Sequence, residues 1–243
     1  MEGQWESFKN GIYQTFILKD NYMYFVKGVK VTLMVTVLAL ILGVILGVIT
    51  AVVRSAHDQQ PANKRSFLLK VMNGACKVYL TVIRGTPMMV QLLIMWFVIF
   101  AGQRATDGNL IRCAVISFGI NSGAYVAEIV RSGIMSIDKG QMEAGRSLGL
   151  DYASTMRFII VPQAFKNVLP ALGNELITLL KETSIVTVIG LRDLTKGAMI
   201  VNANTYQAFV PFLAIAAIYL LMVMALSWLL GKMERRLRQS DIR

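Results

Sequence analysis

The chain has 243 residues, of which 55% are hydrophobic and only 16% charged, and its mean hydropathy is +0.56. That is more apolar surface than a soluble domain of this length can bury, so the composition excludes an ordinary soluble fold and asks for lipid as solvent. The formal charge of +11 does not require nucleic acid, because the basic residues fall into a pattern that membrane insertion explains.

Residues 1–24 mix Trp5, Phe8, Ile12, Phe16 and Tyr24 with Lys9, Lys19 and Asp20, which suits either a helix lying in the outer interface or a frayed tail. The opening MEGQWES is acidic and has no basic n-region or small-residue cleavage site, so no secretory signal peptide is expected. The run Val31 to Val53 carries no charge and is long enough to cross the roughly 30 Å hydrocarbon core as a helix. Two apolar runs, Met88 to Gly102 and Cys113 to Ala127, hold 15 residues each; they span if Val78 to Ile83 and Ile129 to Ile134 extend them. Leu169 to Gly190 is interrupted by Glu175, Lys181 and Glu182, which makes it a functional span or a surface helix. Phe209 to Leu230 is again free of charge. The expected fold is an all-α integral membrane protein with five transmembrane helices over residues 25–235, followed by a basic tail at 236–243.

Five spans put the two termini on opposite sides, and the basic residues orient them. Arg54, Lys64, Arg65, Lys70 and Lys77 follow span one; Arg131, Lys139, Arg146, Arg157 and Lys166 follow span three; Lys232, Arg235, Arg236 and Arg238 follow span five. The opposite loops, 103–112 and 191–207, hold only Arg104, Arg112, Arg192 and Lys196. The expected topology has the amino terminus outside and the carboxyl terminus in the cytoplasm. Cys76 and Cys113 are far apart with no CxxC spacing, and the only histidine is His57 in a loop, so neither a disulfide framework nor a zinc site is indicated.

The inside segment between spans three and four, Gly140 to Pro170, is too long and too varied to be plain loop. Gly149 can end one helical stretch, Asp151 can cap the next by accepting from its free amides, and Pro162 interrupts the pattern again. A short helix at about 152–160 results, with Tyr152, Met156 and Ile159 at helical spacing on one apolar face that invites a partner.

In this segment Glu143, Ala144, Gly149, Ile159 and Pro162 resemble the EAA loop of bacterial ABC-importer permeases: EAA, three residues, Gly, nine residues, Ile, one residue, Leu-Pro. Gly145 stands for the second Ala and Val161 for the Leu. The segments FVKGVKVTL (25–33), RGTPMMVQL (84–92), AYVAEIVRSGI (124–134) and KETSI (181–185) are similar to recurring segments of one branch, the polar amino acid permeases of the bacterial cytoplasmic membrane. The resemblance implies a dimer with a second permease, identical or paralogous, two ABC ATPase subunits, and an extracytoplasmic solute-binding protein. It also implies that the short helix is a coupling helix, with Glu143, Gly149 and Asp151 shaping its seat and Tyr152 and Met156 filling a groove on the ATPase. The chain has no GxxxxGK[ST] loop, so ATP and Mg would be bound by that partner and this chain would hold no cofactor.

Charges at bilayer depth are costly and face a cavity or a partner, so Lys181, Glu182 and the adjacent Thr183 mark a solute pathway. Asn174, Thr178 and Lys181 share one helical face, and Glu175, Thr178 and Glu182 an adjacent one. An amino acid offers a carboxylate to a lysine and an ammonium to a glutamate. An internal salt bridge or a merely interfacial pair is the competing reading of the same charges. Gln91, one turn beyond Pro87, and Asn121, one turn before Tyr125, are further pathway candidates, Pro87 being expected to kink span two. Gly43 and Gly47, and Gly119 and Gly123, repeat the GxxxG spacing of close helix packing. Glu128 and Arg131, near the inner end of span three, are expected to snorkel. A membrane hydrolase is excluded by the lack of HExxH and GxSxG. A channel or scaffold subunit without ATPase coupling would share the spans but have no use for an EAA-spaced loop.

Overall fold

The computed structural model describes Glu6, residues 9–60 and residues 66–239. Trp5 and Phe8, Lys64 and Arg65, the Arg238 side chain and residues 240–243 of the basic tail lie outside the described residues. The described residues form helices and connecting turns, with no strand among them.

Helix α1 (Tyr22–Gln59) contains the uncharged run from Val31 to Val53. It is followed by α2 (Phe67–Gly85), α3 (Met88–Ile94, continued by a π turn Met95–Ile99), α4 (Asp107–Met135) and α5 (Lys139–Ser147). Helix α6 (Tyr152–Thr155) runs through a π turn, Met156–Ile160, into α7 (Val161–Glu182), which tightens into a 3-10 stretch, Thr183–Ile189. Helices α8 (Leu194–Thr205) and α9 (Phe209–Gln239) complete the chain. Among the described residues three helices, α1, α4 and α9, are long and apolar enough to cross a membrane, or four spans if α2 and α3 with its π turn count as one.

Span two differs from its sequence reading. The chain turns by 108° between α2 and the segment Met88–Ile99. Thr86 is extended, at φ −122° and ψ 146°, as the residue before a proline prefers, and Pro87 then starts a new helix. The break is therefore a sharp turn and not a kink in one rod. The segment 191–207 also contains more structure than expected: Asp193 accepts from the amides of Thr195 and Lys196, at 3.1 and 2.9 Å, and nucleates α8.

The chain forms two compact units. In the first, comprising residues 1–38, 89–117 and 177–229, Phe25, Leu194, Ala198 and Val201 are buried together, and Val29, Ile215, Ile218 and Met222 pack against them. Residues 11–16 of the amino-terminal segment join this unit, with the rings of Phe16 and Phe25 5.4 Å apart.

In the second unit, residues 39–88, 118–176 and 230–243, the two GxxxG pairs meet each other. A Cβ atom at Gly47 would fall 2.6 Å from the Val126 side chain, and one at Gly119 2.5 Å from Leu42. Glycine is the residue that lets α1 and α4 come this close. Tyr79 of α2 adds a hydrogen bond from its hydroxyl to the Ile120 carbonyl, 2.6 Å. Farther along the same two helices, Arg54 Nη1 lies 2.6 Å from Glu128 Oε1 and Arg131 Nη2 3.1 Å from Asp58 Oδ2. Glu128 and Arg131 each find an opposite charge on α1, and the Arg131–Asp58 pair stays partly exposed.

Candidate functional site

The segment 138–162 folds into a helical hairpin through local signals. The Asp138 carboxylate accepts from the Gly140 amide, 2.6 Å, and starts α5. At its end the Leu150 amide donates to the Gly145 carbonyl, 3.1 Å, and the Gly149 amide to that of Arg146, 2.9 Å. This pair of bonds is a Schellman motif, and Gly149 supplies the φ of +83° it requires. Asp151 then caps α6: its Oδ1 accepts from the Ser154 amide at 2.8 Å. Hydrogen bonds from Ser154 hold the Asp151 carboxyl below its ordinary range, so the cap stays ionised at neutral pH.

The helix beginning at Tyr152 does not stop at Pro162, as its sequence suggested. The π turn Met156–Ile160 widens the helix one residue ahead of α7, and Pro162 falls in the first turn of that helix. A proline there gives up only one backbone bond. Within the hairpin α5 presses on the next helix at Gly145, where a Cβ atom would come within 2.5 Å of Thr155 Cγ2 and 3.3 Å of Ile159 Cδ1. This contact explains why glycine stands where the EAA pattern has alanine. Gly145→Ala is expected to lower stability by about 1–3 kcal/mol through overpacking. Thermal unfolding checks it: adding Thr155→Ala should recover part of the loss, and simple addition of the two penalties would show that they do not touch.

Ile159 is thus turned onto α5, and the outward apolar side chains are others. Tyr152 is 39% exposed, Phe158 66% and Leu148 79%. The Arg157 guanidinium sits 5.5 Å from the centroid of the Phe158 ring. Met156 is half-buried, and Glu143, Ala144, Gly149 and Pro162 are exposed.

An open cleft of 520 Å³ lies in the same unit, lined by Arg84 of α2, Tyr125, Glu128 and Ser132 of α4, Ser136 just beyond it, and Asn167 and Glu175 of α7, among others. Ser122 Oγ donates to Glu175 Oε1 at 2.8 Å, and Asn167 Nδ2 to Ser136 Oγ at 2.9 Å. The Arg84 guanidinium lies over the Tyr125 ring, 5.5 Å from its centroid. A guanidinium and two carboxylates on one wall system can receive both ends of a zwitterion.

None of the pathway residues expected from the sequence, Gln91, Asn121, Thr178, Lys181, Glu182 and Thr183, lines this cleft. Asn121 is buried, Thr178 and Lys181 are exposed, and Gln91 and Glu182 are half-buried. Thr183 is buried and its hydroxyl donates to the Leu180 carbonyl at 2.7 Å. Sequence reasoning missed Arg84, Tyr125, Glu128 and Glu175 as a group. One signal was present: Tyr125, Glu128, Ser132 and Ser136 recur every three or four residues, a polar stripe along an otherwise apolar span.

Residues 43–239 match the family model of the binding-protein-dependent transport system inner membrane component. The chain is similar to the arginine transport system permease protein ArtQ of Bacillus subtilis (strain 168), 44% identical over 166 residues that cover 67% of this chain and 74% of that protein. It is also similar to the glutamine transport system permease protein GlnP of Escherichia coli (strain K12), 38% identical over 174 residues, 72% and 80% of the two chains. Among solved structures, a crystal structure of an amino acid ABC transporter with histidines superposes with a TM-score of 0.78 and 43% identity over 88% of this chain and 94% of the other. The inward-facing MetNI methionine ABC transporter shares the fold, with a TM-score of 0.72 at 18% identity over 89% and 97%.

Proposed function

Because the chain belongs to the binding-protein-dependent transport system inner membrane component family, we propose that it is the permease subunit of an ATP-driven importer of polar amino acids. The observation that carries the substrate class is the cleft, where Arg84 opposes Glu128 and Glu175 on walls otherwise built from hydroxyl, amide and apolar groups. An amino acid's carboxylate pairs with Arg84 and its ammonium with Glu175, Glu128 being held by Arg54. The arginine and glutamine permeases among its relatives are consistent with a polar solute.

In this reading five spans cross the inner membrane, α7 with its 3-10 extension being the fourth, with the amino terminus outside. The bias of Lys and Arg toward the segments after spans one, three and five supports that orientation. The hairpin 138–162 faces the cytoplasm and its helix from Tyr152 docks on an ATPase subunit. Glu143, Ala144, Gly149, Asp151, Ile159 and Pro162 shape the seat, and Tyr152 and Met156 enter the groove with Phe158. ATP binding draws the two ATPase subunits together and switches the permease pair between inward and outward openings. This chain supplies no chemistry; ATP and Mg are held by the partner. Thr178, Lys181 and Glu182, which follow Glu175 along the same helix, are further candidates for contact with the solute. Gln91, Asn121 and Thr183 join them as polar groups set in apolar spans. An extracytoplasmic binding protein delivers the solute, and the second permease is a copy or a paralogue.

The test is ATP hydrolysis by the purified complex in proteoliposomes, with each of a panel of amino acids and its binding protein. Stimulation by one polar amino acid supports the reading. If no ATPase co-purifies and no amino acid stimulates, a channel or scaffold subunit takes its place.

A further inference from the structure

A second cleft, of 370 Å³, adjoins the first and shares Arg84 and Glu128 with it; Arg54, Lys77, Leu80 and Thr81 complete its lining. Three cations here face one carboxylate. Glu128 is already engaged by Arg54 Nη1 at 2.6 Å, and Arg84 leans on the Tyr125 ring. The Arg54 Nε is buried without a hydrogen-bond partner, and Lys77 has no ion pair among the described residues. A concave surface with this excess of positive charge, set between helix ends of a membrane protein, calls for an anion with several acceptor oxygens.

The surface beside it narrows the choice. Lys77, Thr81 and Arg84 lie on one face of α2, and Lys70 falls on the same stripe two turns earlier. The adjoining stripe is Val71, Val78 and Val82, which are 51%, 64% and 53% exposed. A basic cleft rimmed by a bare aliphatic stripe matches a molecule that is anionic at one end and aliphatic along its length. A free inorganic anion would use the cleft and leave the stripe unused.

We propose that the cleft formed by Arg54, Lys77 and Thr81, beside Arg84, binds the phosphate headgroup of an anionic phospholipid, whose acyl chain lies along Val71, Val78 and Val82. Lys77 lines this cleft and not the solute cleft, so the assignment can fail without the solute reading failing, and the reverse.

The complex, with its ATPase, is titrated in detergent with dioleoylphosphatidylglycerol, with dioleoylphosphatidylcholine, or with inorganic phosphate, and lipid retention is counted by native mass spectrometry alongside thermal unfolding. Wild type is expected to retain and be protected by phosphatidylglycerol over phosphatidylcholine, with Lys77→Gln weakening that preference about fivefold and Lys77→Arg restoring it. Equal retention of the two lipids by wild type, or a preference unchanged by Lys77→Gln, overturns the proposal. Protection by inorganic phosphate as large as that by phosphatidylglycerol also overturns it, in favour of a free-anion site. If Lys77→Gln does not assemble, Val78→Ser provides the second measure: it sits on the aliphatic stripe and should lower lipid retention while leaving the response to phosphate unchanged, and undiminished retention overturns the assignment.

Discussion

Glu175→Gln is expected to reduce solute-stimulated ATP hydrolysis in proteoliposomes by about tenfold to a hundredfold, with the complex still assembling. The range corresponds to one hydrogen bond to a charged group, about 1.5–3 kcal/mol. Glutamine keeps the oxygen that accepts from Ser122 Oγ at 2.8 Å, so the α4–α7 contact survives and the charge alone is removed. The loss should be in apparent affinity for an amino acid, since the ammonium is the group left without its anion. A half-saturating concentration equal to wild type would take Glu175 out of the solute site and return attention to Glu182, farther along the same span.

The second large effect concerns the hairpin. Tyr152→Ala together with Phe158→Ala is expected to weaken the ATPase association about 30-fold or more, because exposed aromatic side chains that become buried in a partner groove behave as hot spots of about 2 kcal/mol or above. The measurement is the affinity between separately purified permease and ATPase, with Leu148→Ser as a companion on the same exposed surface. Tyr152 and Phe158 are 39% and 66% exposed, outside the buried core, so the permease should fold normally. Undiminished affinity in the double variant would detach this face from ATPase docking and favour a subunit that acts without ATP.

Legibility in the sequence followed the range of the forces involved. Gly149 as a helix stop and Asp151 as a helix start could be read directly, because a positive φ and a capping carboxylate are decided within three or four residues. The uncharged runs inside α1 and α9 were equally plain, since lipid acts on each residue separately. Pro162 misled because its cost depends on where in a helix it falls, and the π turn ahead of it moved it into a first turn. Pro87 was recognised as a breaker, but the 108° turn depends on what α2 and α3 go on to pack against. The cleft was the least legible part. Arg84, Glu128 and Glu175 lie on three helices, and nothing local states that they share a wall. The charges that stood out by depth, Lys181 and Glu182, drew notice from Glu175 one span-half earlier. The small-residue repeats announced close packing without naming their partner, which proved to be each other.

The continuity of the chain from Tyr152 through the π turn into α7 makes this stretch a ruler. From Tyr152 to Glu175 the path is helical throughout, about 35 Å at 1.5 Å per residue. No loop separates the docking aromatic from the carboxylate in the cleft, so slack cannot absorb a change in length. One inserted residue between them would swing Glu175 by about 100° around its axis and off the wall, and even an insertion of a full turn would slide it by about 5 Å. Under the proposed function, the residue count of this segment sets the distance between the ATPase partner at one end and the solute at the other.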